Sequence, residues 1–399
     1  ISIYYTLDGS VPTPENGILY TTPVRISRSV KIRASAYILE GGNVTSYSNP
    51  IEKIYRFGDQ DLENCFIVNQ ATGGLVYYKG ILENLTVPQT INGVTIKTIC
   101  SGAFTATNVV NVILTSTVTE IESSAFRDCK NIETVKGPNV KSIGNYAFQG
   151  CSNFMYLNDT YFPELTKIGA YAFYQCSSLR DIALSKVEVV DSNAFYMRNT
   201  DPKYLKSINL PSAIIISDFA FNYASYVTQV NLPKVEIISE CAFQMNDIRT
   251  LYLPKAVYLG TSAFFGNDKM TSADLPEAVY LSTYALAGST ENGSILSSVN
   301  LPKAKVLGTY VISHTLVTQI DLPSVETLLP LAFYTQRLLT SFTAPNLKYV
   351  GSRALGYCEG LTEINLPSVI SLDNAFYGCK SLTSITIKKP DCKIYDSKY

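Results

Sequence analysis

One histidine, nine cysteines and a short acidic run are the side chains in this sequence best equipped for chemistry. His314 has the type of a general base or metal ligand, but no second histidine exists to complete a site with it. Its expected role is a surface or turn position in a diverged repeat. Cys129, Cys151 and Cys176, and again Cys358 and Cys379, each stand four residues after a recurring alanine. Such placement superposes thiols on neighbouring turns, which admits a disulfide or metal set. A small buried residue filling each turn is the expectation instead. Equivalent positions about 4.8 Å apart suit stacking, the cysteine total is odd, and no Cys-x-x-Cys spacing suggests zinc. Asp59, Asp61 and Glu63 alternate as in a calcium loop, without its further ligands or its glycine. A solvated linker is expected there. Phosphate-cradling glycine loops and a G-x-S-x-G elbow are absent, and no carboxylate pair stands out for glycoside hydrolysis. The expectation is therefore no catalytic residue, no metal, no cofactor and no enzyme.

The elements that hold these residues follow from a repeat. Ala-Phe recurs at Ala103, Ala125, Ala147, Ala172, Ala194, Ala220, Ala242, Ala263, Ala332 and Ala375, with variants at Ala285-Leu286, Val311-Ile312 and Ala354-Leu355. The thirteen occurrences are phased at 21 to 26 residues, which excludes chance. The clearest unit begins at Leu205. Leu205, Ile208 and Leu210 give L-x-x-I-x-L, followed by Pro211, Ala213, Ile216 and Ala220-Phe221. The pattern returns at Val227/Val230/Leu232/Pro233 and at Leu361/Ile364/Leu366/Pro367. One such turn cannot bury its apolar face alone, but stacked copies share a continuous core. Strands of adjacent turns pair in parallel at about 4.8 Å, so thirteen turns predict a rod of roughly 60 Å. Proline ends each strand without leaving a donor unpaired.

Composition limits the partners. Of the 399 residues, 46% are apolar, ample for a core, and 16% are charged. Lys plus Arg is 32 against 33 for Asp plus Glu, with no basic run, so the electrostatic footprint of a nucleic-acid binder is missing. No apolar stretch approaches the ~18 residues of a membrane span. No signal peptide is visible, and Ile1–Tyr5 already reads as a strand, so a targeting segment upstream is compatible with the sequence.

The unit A-F-x-x-C-x-x-L-x-x-I-x-L-P, seen at Ala172-Phe173, Cys176, Leu179, Ile182 and Leu184, resembles the BspA-like leucine-rich repeats of bacterial surface proteins. Ser185 departs from it where proline is usual. The segment Phe66–Ile99 resembles that family's entry hairpin. Residues 3–9, I-Y-Y-T-L-D-G, with Tyr20–Pro23 and Val30–Ala36, look like the small β-sandwich at the C-terminus of chitobiase and β-hexosaminidase. The resemblance implies a mainly β chain. An Ig-like sandwich whose first strand is absent or cut short occupies 1–57, a cap hairpin 58–99, and a leucine-rich-repeat parallel β-solenoid of about 13 repeats 100–399. The segment Ile385–Tyr399 is expected to close the open strand edge. The family implies adhesion, host contact and surface display, so an extracellular or cell-surface location is expected.

Within each L-x-x-I-x-L strand the intervening residues face outward, here expected on a concave sheet. One column is Asn209, Asn231, Tyr252, Asp274, Asn300, Asp321, Thr343, Asn365 and Thr386. Its neighbour is Ser207, Gln229, Thr250, Ser272, Ser298, Gln319, Ser341 and Glu363. Insertions at Asn158–Phe162, Arg198–Tyr204 and Ser289–Ile295 add loops beside the strands, with Tyr161, Phe162 and Tyr204 as aromatic contacts. Ordinary solvation and packing over a bulged turn would explain the same residues. The expected function is a monomeric, non-enzymatic protein that binds a protein or glycan, host-derived ligands included, through this face and these loops. An accessory carbohydrate-binding role and a structural spacer are the alternatives.

Overall fold

A computed structural model describes residues 1–24, 30–55, 64–197, 204–290 and 293–395. Asp59, Asp61 and Glu63 lie outside the described residues. The N-terminal strands are β1 (Ser2–Thr6), β2 (Ile18–Leu19), β3 (Val30–Glu40), β4 (Asn43–Tyr47) and β5 (Ile51–Tyr55). They form one antiparallel sheet in the order β2-β1-β3-β4, and β5 pairs with the first half of β3. The expected sandwich is, among the described residues, this single sheet. Alternation decides its faces: Ser35 and Tyr37 are buried on one side of β3, whereas Ile3 and Ile38 stay exposed on the other. Tyr37 donates to the Pro12 carbonyl at 2.6 Å and stacks on Tyr47 at 5.8 Å. Lys31 joins this sheet to the rest of the chain by bridging Glu52 and Glu83, at 3.1 and 3.2 Å.

The solenoid begins with an antiparallel hairpin of β6 (Phe66–Asn69) and β7 (Gly74–Tyr78). From β7 onward every pairing in the main sheet is parallel. That sheet has 16 strands and runs unbroken to Lys393–Tyr395. The phased repeats thus stack into about 14 turns. Each turn carries two strands. The first, such as Ser207–Asn209, buries its middle residue and turns its two flanks outward. The second, such as Ile215–Ile216, follows the proline and belongs to the unbroken sheet. The first strands form several short sheets of two to four strands each. The continuous ladder is therefore not the one carrying the L-x-x-I-x-L columns, contrary to expectation. Proline follows many of the first strands, as Pro211 and Pro233 do, and its missing N–H keeps those strands short.

Phenylalanine fills the interior. Phe104, Phe126, Phe148, Phe173, Phe195, Phe221, Phe243 and Phe264 stack with centroids 4.7 to 5.2 Å apart and planes within 13° of parallel. All are fully buried, and the alanine before each leaves the room its ring needs. Burial of one such ring contributes about 1.5–3 kcal/mol.

The Ala-Phe corner forms a third hydrogen-bonded ladder. Each Phe N–H donates to the next turn's alanine carbonyl, as from Phe148 to Ala172 at 2.8 Å. Left-handed residues flank it: one before the alanine, as at Ser124 (φ 58°), and one three residues after it, as at Asp128 (φ 58°). The reversed peptide planes aim alternate N–H groups along the solenoid axis. His314, with φ 60°, is one of these turn residues and is half-buried.

Candidate ligand-binding face

The cysteines belong to the scaffold. Cys129, Cys151 and Cys176 are fully buried, and their thiols donate to the carbonyls of Phe104, Phe126 and Phe148 one turn earlier, at 2.8, 3.0 and 3.1 Å. Cys358 and Cys379 do the same to Phe333 and Leu355. Asn246, Asn267 and Gln336 occupy the equivalent position in other turns and donate through their amides to Phe221, Phe243 and Ile312. The position thus calls for a compact buried donor. Burial pushes the Cys151 and Cys176 thiols well above their ordinary value and Cys241 up to about 11, so these are poor nucleophiles. Among the described residues no three His, Cys, Asp or Glu side chains gather as a metal site.

The first strands present the outward columns. Asn209, Asn231, Tyr252, Asn300, Asp321 and Asn365 are exposed, and Asp274 is half-buried. Some of this polarity is spent within the wall. Asn231 donates to Asn209 and Asn300 donates to Asp274, both at 2.7 Å, each within one short sheet. Among the described residues no such bond spans the sheet break before Tyr252 or the one before Asp321.

The insertions divide. Phe162 turns inward and is fully buried, against the backbone at Gly137. It is a core residue rather than a ligand contact, because the Asn158 carbonyl accepts the N–H groups of both Tyr161 and Phe162, at 2.9 Å, and folds the bulge under. Of Arg198–Tyr204 only Tyr204 is described. At Ser289–Ile295, Asp268 pins the loop by accepting the Ser289 N–H at 2.9 Å and its hydroxyl, while its carbonyl accepts from Ile295.

Tyr161 and Tyr204, from two of the insertions, belong to one cluster through Tyr156 and Arg180. Tyr161 stacks on Tyr156 at 5.6 Å and 3°. The Arg180 guanidinium lies 5.6 Å from the Tyr156 ring and 5.9 Å from that of Tyr204. Beside it, Lys206 sits 4.4 Å over Tyr226. Tyr204 is 56% exposed and offers a ring to solvent. Sequence reasoning missed Tyr156, Arg180, Lys206 and Tyr226. The available signal was register: Arg180 and Lys206 directly precede Asp181 and Ser207, which pair across adjacent strands.

The other wall differs in kind. Along the unbroken sheet Ile215, Ile237, Tyr258, Tyr280 and Val306 pair in one outward row. Ile237 and Tyr258 are exposed, and Tyr258 stacks on Tyr280 at 5.4 Å.

The comparisons accord with this architecture. The model for the BspA type leucine rich repeat region matches residues 74–201, 200–316 and 305–398. Residues 1–51 match the Fn3 associated model, so the expected chitobiase-type module is corrected to this one. No curated protein matches the chain. Among solved structures, a leucine-rich repeat protein from Bacteroides ovatus is 21% identical with a TM-score of 0.48, covering 81% of this chain and 98% of that one. A leucine rich cell surface protein from Faecalibacterium prausnitzii is 21% identical with a TM-score of 0.40, covering 84% and 96%. A leucine-rich repeat protein from Eubacterium ventriosum is 17% identical with a TM-score of 0.36, covering 82% and 89%. With its repeats matched over most of its length, the chain belongs to the BspA-type leucine-rich repeat family.

Proposed function

We propose that this chain is a non-enzymatic binding protein displayed at a bacterial surface. It engages its partner on the wall formed by the first strands. The observation carrying this reading is the cluster of Tyr156, Tyr161, Arg180 and Tyr204. Neighbouring turns bring three tyrosine rings and a guanidinium together beside a row of exposed asparagines. Aromatic groups and arginine are the side chains from which binding hot spots are most often built, and a site on stacked turns loses little entropy when it is occupied. Membership in a family of bacterial surface proteins supports the location.

A second reading is favoured by the opposite wall. Its apolar row at Ile215, Ile237 and Tyr258 suits a protein partner rather than a sugar. Arrays of glycans and of extracellular-matrix proteins, probed with the intact chain and with Tyr204→Ala, test the first reading. A signal that the substitution removes supports it; a signal that persists unchanged moves the site elsewhere.

A further inference from the structure

We propose that the tyrosine–cation cluster receives a carboxylate-bearing glycan. This rests on the binding reading above and narrows its ligand class. The main observation is that two cations on adjacent turns, Arg180 and Lys206, both rest on tyrosine rings within one cluster. Some lysines of the solenoid reach acids one turn away: Lys186 to Glu164 at 2.6 Å, Lys269 to Asp247 at 2.5 Å, Lys303 to Glu277 at 2.7 Å and Lys348 to Glu326 at 2.8 Å. Arg180 and Lys206 do not. Both lie on tyrosine rings, and among the described residues no carboxylate forms an ion pair with either. The nearest acid in sequence to Arg180, Asp181, accepts the Ser207 hydroxyl at 2.9 Å.

A cation over an aromatic face keeps its charge, and guanidinium resting on rings keeps its N–H edge free for a planar acceptor. A carboxylate accepts two such N–H groups at once. The adjoining Tyr204 ring offers an apolar face to the C–H side of a pyranose. Lys206, one turn on, can meet a second charge. An extended acidic peptide fits less well. The strand Asp181–Ala183 beneath Arg180 is paired on both sides, so it has no free edge for strand addition.

Calorimetry on the full chain, with hexagalacturonate and sialyllactose against hexagalacturonate methyl ester and lactose, tests the proposal. At least one acidic sugar should bind, more weakly as salt is raised. Its neutral counterpart should bind about tenfold or more weakly, or not at all. Arg180→Met and Lys206→Met should each reduce acid binding about tenfold, with an unchanged melting temperature, and Arg180→Lys should lose less. Equal binding of acid and neutral forms, or acid binding indifferent to both Met substitutions, overturns the carboxylate assignment. If such binding still requires Tyr204, the general binding reading survives. Silence from all four sugars overturns the proposal, and the protein array then decides the broader reading.

Discussion

At the level of single residues, the buried donors tie one turn to the next. Cys151 fills a space between Phe126 and the following turn and gives its hydrogen to a carbonyl that lacks water. Cys151→Ala is expected to cost about 1–2 kcal/mol in urea denaturation. Cys151→Asn should cost less, because Asn246 and Asn267 make the same bond in their own turns. The buried thiols also set a pH dependence. Burial raises their folded values above the ordinary 9.0. A raised value means the folded state holds its proton more tightly than the unfolded chain does. The stabilisation is complete below pH 9 and is lost as pH rises beyond it. The melting temperature should therefore stay level through neutral pH and fall above about pH 9. Replacing Cys151 and Cys176 by Asn should flatten that fall.

The elements were unevenly legible in the sequence. The Phe ladder could be read because each ring recurs in phase and only an inward position explains it. Outward columns followed from strand alternation. The left-handed residues flanking Ala-Phe were hidden, because Ser124, Tyr146, Asp128 and His314 share no side-chain chemistry; only their φ values are alike. Ser124→Val should cost about 1–3 kcal/mol, since a β-branched residue fits that region poorly, and Ser124→Gly should not. The location of the continuous sheet was also hidden, because the strand with the stronger apolar signature is the one whose ladder breaks. Phe162 was misjudged because an inserted aromatic looks identical whether its turn folds outward or inward. The Arg180 cluster was missed because its members come from separate turns and no motif joins them.

Across the whole molecule, each turn is a replaceable unit whose contacts reach only its neighbours. Deleting residues 220–241 joins Phe219 to Ala242 in register. The shortened chain should fold, with a urea m-value reduced roughly in proportion to the surface lost. Removal of half that length should destabilise the chain more, because the interrupted turn loses its Phe and its ladder bonds to both neighbours. The exposed Lys–Glu pairs contribute little singly, so moderate salt should leave stability nearly unchanged. The rod also presents two chemically different walls, one polar and aromatic, the other apolar.

The choice between those walls defines the account. Titration of the intact chain, Tyr204→Ala and Tyr258→Ala against the strongest array ligand tests it most directly. Loss of about tenfold or more in affinity for Tyr204→Ala, with Tyr258→Ala unchanged, is the expected result. Loss confined to Tyr258→Ala would contradict it and place the partner on the continuous sheet.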